Sequence, residues 1–92
     1  MIELYHQSSS RVSKLITRAY STSFSLGILG LKKKYRRPIY NIYGFVRVAD
    51  EIVDSFRGFD KRTLLKGFWK ETELALKEGV SANPVLHSFQ ET

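Results

Sequence analysis

The segment from Tyr43 to Asp54, YGFVRVADEIVD, constrains this chain more than any other. It spaces Tyr43, Arg47, Asp50 and Asp54 so that, at about 100° per residue, all four fall within an arc of roughly 60° on one helix face. The positions around them are apolar: Ile39, Ile42, Phe45, Val46, Val48, Ala49, Ile52, Val53 and Phe56. A helix that is apolar over most of its circumference belongs in a core. Carboxylates are rarely buried without a partner or a metal. The pattern therefore predicts a buried helix that carries a charged stripe into an interior site. Glu51 projects about 80° from Tyr43, off the stripe, and reads as a carboxylate at the solvent edge of that site or one that supports its residues from behind.

The rest of the chain reads as helix with turn signals between segments. Ser8 to Ser10 offer caps for a first helix, and Val12, Leu15, Ile16 and Ala19 follow at helical spacing. The hydroxyl-rich Ser21-Thr22-Ser23-Phe24-Ser25 interrupts it, since short hydroxyl side chains compete for backbone hydrogen bonds. Gly27 and Gly30 make the next stretch a turn or a short helix. Pro38 is suited to the first position of a second helix running to about Phe56, with Gly58 ending it. Asp60 caps a third helix with the apolar face Leu65, Phe68, Trp69, Thr72, Ala75 and Leu76, and Gly79 stops it. Asn83-Pro84 starts a fourth, with Val85, Leu86 and Phe89. No strand pattern competes, so the fold class is all-α. Trp69 reads as core. His6 and His87 are isolated in sequence, and nothing there makes either a base or a ligand.

With 92 residues and no cysteine, disulfides and thiolate metal sites are excluded, which suits a cytoplasmic setting. The longest apolar run, Phe24 to Leu31, is too short to span a bilayer. MIELYHQSSSR lacks the pattern of a signal peptide. The net charge is +6, and five of the basic residues sit at Lys32, Lys33, Lys34, Arg36 and Arg37. That cluster admits a solvated loop, or attraction to anionic lipid, nucleic acid or a polyphosphate. Covering an almost wholly apolar second helix takes more partners than 92 residues supply. The chain thus reads as the N-terminal part of a larger helical domain, with a complete small bundle ending in a short helix as the competing reading.

Asp50 and Asp54 lie one turn apart, about 5–6 Å between side chains, and repel each other on a bare helix. A divalent cation reverses the sign of that interaction. Magnesium takes oxygen ligands and typically uses one or two carboxylates together with substrate phosphates. Arg47 can fork two hydrogen bonds to a phosphate, and Tyr43 offers a phenolic donor. The competing reading is a structural ladder of Arg47 with Asp50 and Asp54 with Arg57.

The array Tyr43-x-x-x-Arg47-x-x-Asp50-Glu51-x-x-Asp54 resembles the first aspartate-rich motif of the squalene and phytoene synthases. Its Asp-Glu-aliphatic-Val-Asp form is most similar to phytoene synthases. Tyr20-Ser21-Thr22-Ser23-Phe24 resembles the Ser-x-Ser-Phe element of the same family, and the likeness runs on through Trp69 to Asn83-Pro84-Val85-Leu86. The family's cysteine before the motif arginine is Val46 here. Its second aspartate-rich motif has no counterpart in these 92 residues.

The resemblance implies the N-terminal helices of an isoprenoid-synthase-type bundle and a magnesium-dependent prenyltransferase, with Mn²⁺ as a substitute. The implied reaction joins two prenyl diphosphates head to head. Phytoene from geranylgeranyl diphosphate, in carotenoid biosynthesis and without NADPH, is the leading product. Squalene or dehydrosqualene is the alternative. Asp50 and Asp54 become metal ligands, and Arg47, Tyr43, Ser21 and Ser23 surround the diphosphate or the intermediate. Phe24, Leu26 and Tyr43 line the prenyl pocket, with core packing the competing role for Phe24 and Leu26, and helix capping for Ser21 and Ser23. The 92 residues alone are expected to be inactive and to form homo-oligomers, with Ile42, Phe45, Ile52, Val53 and Phe56 near the contact. Peripheral membrane contact is compatible with this reading. The non-enzyme alternative is a basic helical module that binds nucleic acid or an anionic membrane through Lys32 to Arg37, although it leaves the acidic stripe unused and no nucleic acid is expected as partner.

Overall fold

Small side chains, rather than large ones, set the central packing. In a computed structural model describing residues 1–92, the chain forms α1 (Ile2–Tyr20), α2 (Thr22–Leu29), α3 (Lys33–Asp54), α4 (Lys61–Glu78) and α5 (Pro84–Glu91), with no strands. The fold is all-α. Helix α1 buries Ser9, Ser13 and Thr17, one residue per turn. Ser13 lies against Gly44 of α3, where a Cβ added to the glycine would come within 2.8 Å of the serine side chain. Ser13 Oγ also shares a 2.7 Å hydrogen bond with Ser88 Oγ of α5. Small residues thus let α1 approach both α3 and α5 closely. The expected stripe of Val12, Leu15, Ile16 and Ala19 is not the buried face: Leu15 is 67 % exposed. The helix also begins near Ile2, well before the anticipated serine caps.

A second cluster joins α3, α4 and α5. Ile52, Phe68, Ala75 and Leu86 are buried together, with Phe45, Val48, Ala49 and Phe56 packed against them. The Phe45 ring stacks on Phe89 at 3.9 Å and lies 5.5 Å from Phe68, centroid to centroid. The turn chemistry around α4 and at the start of α5 is as the sequence predicts, whereas α3 stops at its C-cap Ser55, ahead of the end expected at Gly58. Asp60 caps α4 through the backbone N–H of Thr63, Gly79 ends it with φ of +74°, and Asn83 caps α5.

Three expectations need correction. Pro38 lies inside α3, which begins at Lys33 and ends at Asp54, before Phe56. Helix α3 is buried along one face only, at Tyr40, Asn41, Gly44 and Ile52, while Ile42, Val46 and Val53 are exposed. Trp69 is not core: it is 60 % exposed, as Leu65 and Leu76 are also exposed, because α4 packs only through Phe68, Thr72 and Ala75. The reason is shape. The molecule measures 39 × 32 × 16 Å, too thin for helices on both sides of α3 when one helix is about 10–12 Å across. No helix is long and apolar enough to cross a membrane.

His6 and His87 are not isolated. The His87 Nδ1 accepts from the Ser81 backbone N–H at 3.2 Å, so its proton sits on Nε2 and points to His6 Nδ1, 2.8 Å away. His6 Nε2 then faces Glu91 at 3.7 Å, and the Tyr5 ring lies beside His87. Burial, and next the neighbouring His6, hold the His87 pKa below the ordinary 6.5. A histidine kept neutral in the folded state leaves the unfolded state binding more protons on acidification. Its contribution is therefore complete above about pH 6.5 and is lost as pH falls toward the folded value. Thermal midpoints at fixed protein concentration are expected to drop from pH 7 to pH 5, and less steeply in His87→Gln. A midpoint that rises on acidification, or an equal slope in the variant, would contradict this role for His87.

Candidate active site

The break between α1 and α2 brings the two sequence elements together. Ser21 is extended and its Oγ accepts from the Phe24 backbone N–H at 3.1 Å, so it caps α2. That turn places Tyr20 and Phe24 against α3. The Phe24 ring stacks on Tyr43 with centroids 4.7 Å apart. The Tyr20 ring lies under the Arg47 guanidinium at 5.0 Å. A cleft of about 210 Å³ opens between Ile16, Tyr20, Arg47, Val48, Glu51 and Phe56.

The charges do not pair as a ladder of Arg47 with Asp50 and Asp54 with Arg57. Arg47 instead bonds Glu51 at 3.2 Å and reaches Asp54 at 3.9 Å. Glu51 is only about 40° from Arg47 around the helix, which makes it the nearer i, i+4 partner. Its carboxyl is held below the usual range by hydrogen bonds from Ser55 first and then Tyr20, and by the charge of Arg47. The Nε of Arg47 is buried without a partner, so part of this guanidinium has unused hydrogen-bonding capacity.

Asp50 and Asp54 are exposed rather than interior, Asp54 with 67 % of its side chain accessible. The expected interior stripe is therefore an open edge, because nothing in the chain packs over that face of α3. The Asp50 carboxylate makes no hydrogen bond or ion pair within the chain. Two carboxylates one turn apart, one of them unpaired, form a hard-oxygen donor set suited to a divalent cation. Asp50 and Asp54 are the residues that could hold one. Ser23 is exposed and its hydroxyl makes no hydrogen bond, and Leu26, 64 % exposed, takes no part in the Phe24–Tyr43 stack.

A sequence model of the squalene/phytoene synthase family matches residues 17–92. The chain belongs to this family. The matched span contains the whole Tyr20–Asp54 constellation, all of α4 and α5, and only the last turn of α1. Neither the curated proteins nor the solved structures include a match. Membership of the squalene/phytoene synthases carries a coarse chemistry: a prenyltransferase-type enzyme and head-to-head condensation of prenyl diphosphates. Within that frame, Tyr20 is the residue that the sequence does not mark, whereas Glu51 takes a supporting place behind Arg47. Glu51 is recognisable from its spacing to Arg47. Tyr20 has no such signal, because its place under Arg47 depends on the turn at Ser21.

Proposed function

We propose that this chain carries the first diphosphate-binding half-site of a phytoene synthase, which condenses two geranylgeranyl diphosphates without NADPH. The observation that supports it best is the adjacency of the Phe24–Tyr43 stack to Arg47 and to the exposed Asp50–Asp54 edge, where Asp50 is unpaired. One end of that strip is aromatic and suits a prenyl chain, and the other is charged and suits a diphosphate.

Asp50 and Asp54 would hold a divalent cation, Mg²⁺ by preference, which when bound supplies Lewis-acid neutralisation of a leaving diphosphate. Arg47 is held near that edge by Tyr20 and Glu51. Its remaining N–H groups donate to phosphate oxygens as the carbon–oxygen bond breaks and the electron pair leaves with diphosphate. The faces of Phe24 and Tyr43 favour the allylic cation left behind, since aromatic rings attract positive charge. They also exclude water, which would capture that cation as an alcohol. The double bond of the second substrate then forms the new carbon–carbon bond, and loss of a proton closes a cyclopropylcarbinyl diphosphate. Departure of the second diphosphate, rearrangement of the carbon skeleton and loss of a second proton complete phytoene.

The product is an expectation drawn from the Asp50-Glu51-Ile52-Val53-Asp54 form. A full-length protein containing this segment is expected to turn over C20 diphosphate to phytoene with no NADPH, and C15 diphosphate far more slowly. Separate incubations with each substrate, with and without NADPH, test it. A preference for C15 would reassign the protein to squalene or dehydrosqualene synthesis. Release of only prenyl alcohols would defeat condensation altogether.

A further inference from the structure

A second charged site lies at the other end of α3. The residues Gln7, Ser10, Arg11 and Lys14 of α1 face Lys33, Arg36, Arg37 and Tyr40 of α3 across a cavity of about 330 Å³. Five cations line it and no carboxylate does. Arg36 is already engaged by the fold. Its Nε and terminal nitrogen donate to the carbonyls of Leu31 and Leu29, at 3.1 and 3.0 Å, tying down the end of α2. The other four have no counter-ion, since every ion pair in the chain is made by Met1, His6 or Arg47. Glu3 and Glu91 border a neighbouring depression that shares Lys33 and Arg37, yet neither pairs with those cations.

Two of the four are aimed rather than free. Arg37 Nε donates to the Oγ of Ser10 at 2.8 Å, which fixes its plane and leaves the terminal N–H groups available as a fork. Lys14 rests over the Tyr40 ring at 5.4 Å. Tyr40 is buried, so it gives that cation a fixed support. Like charges gathered in one concavity raise the potential there and favour a small polyanion.

We propose that this cavity is a binding site for a phosphate-bearing anion, a diphosphate or a phosphomonoester, held by Arg11, Lys14, Lys33 and Arg37. It is distinct from the Asp50–Asp54 edge: Arg37 and Asp50 are thirteen residues apart on one helix, about 20 Å along its axis. It also needs no divalent cation, because the protein supplies the positive charge. A free diphosphate and a phosphorylated lipid headgroup present the same chemistry to these four side chains.

The test uses inorganic pyrophosphate with EDTA present, followed by calorimetry, on the chain carrying Asp50→Asn and Asp54→Asn. That background removes the metal-dependent edge. Saturable binding is expected to persist there, and to weaken about tenfold or more when Arg11→Gln and Lys14→Gln are added, since a charged hydrogen bond contributes about 1.5–3 kcal/mol. Lys66→Gln with Lys70→Gln lowers the net charge equally on α4 and is expected to leave binding unchanged. A parallel arm sediments the proteins with phosphatidylcholine vesicles, with and without phosphatidic acid. Capture that needs both phosphatidic acid and the Arg11–Lys14 pair, without pyrophosphate binding, would identify a headgroup as the source of the anion. Equal weakening by both pairs would reduce the site to general attraction and overturn it. Loss of binding in the aspartate background, or no binding of pyrophosphate or vesicles, would overturn it too.

Discussion

Asp50→Asn and Asp54→Asn are each expected to cut turnover of the full-length synthase by about 10²–10³-fold, the cost of removing one group that stabilises developing charge. The structure makes this a clean experiment. Both side chains are exposed, and Asp50 contacts no donor in the chain. Substitutions at such positions usually change stability by less than about 0.5 kcal/mol. Asparagine keeps the volume and the hydrogen-bonding oxygen and removes only the charge. A fall in rate with unchanged circular dichroism and thermal midpoint would therefore report on chemistry. Asp54 should show a second effect, because it lies 3.9 Å from Arg47. Its neutralisation leaves the guanidinium to Glu51 alone, so Arg47 becomes freer to bind phosphate even as the rate falls. Near-normal turnover in both variants would end the assignment of this edge to the metal.

How much of the molecule is legible in its sequence depends on whether a local rule is sufficient. Helix ends at Asp60, Gly79 and Asn83 are readable, because a capping side chain or a left-handed glycine acts on its own backbone. The charged stripe is readable for the same reason, since helical geometry alone puts Tyr43, Arg47, Asp50 and Asp54 in line. Burial is not. Periodicity says which residues share a face but not whether anything covers it, so Ile42, Val53 and Trp69 are assigned to an interior they do not occupy. The buried face of α1 is missed because Ser9, Ser13 and Thr17 carry no hydrophobic signal. Their value is smallness, and for Ser13 opposite Gly44 it is a property of the pair. His6 and His87, far apart in sequence, meet only through the packing of α1 on α5.

The 92-residue chain by itself is expected to self-associate and to make neither phytoene nor squalene. Seven hydrophobic residues are buried, whereas twenty large ones are exposed. The radius of gyration is 13.6 Å, against about 12 Å for a well-packed domain of this length. The exposed set is organised. Ile42, Val46 and Val53 share one face of α3, and Leu65, Trp69 and Leu76 share one face of α4. Contiguous apolar surface of this kind drives association. Exchange of helices between identical chains is a low-cost way to cover it. The contact expected from sequence shifts accordingly: Phe45, Ile52 and Phe56 are used inside the chain, while Ile42 and Val53 stay available and the α4 face joins them. In a longer synthase chain the same faces would receive further helices of the bundle. Inactivity follows from the donor count, because Asp50–Asp54 is the one Asp-x-x-x-Asp in the sequence. Two carboxylates leave a metal and two diphosphates largely in water. Sedimentation velocity at micromolar concentration should show dimers or larger species, and Leu65→Lys with Trp69→Lys should shift them toward monomer. A monomer in the unmodified chain would refute the association, and phytoene or squalene formed by the 92 residues would refute the need for a second aspartate pair.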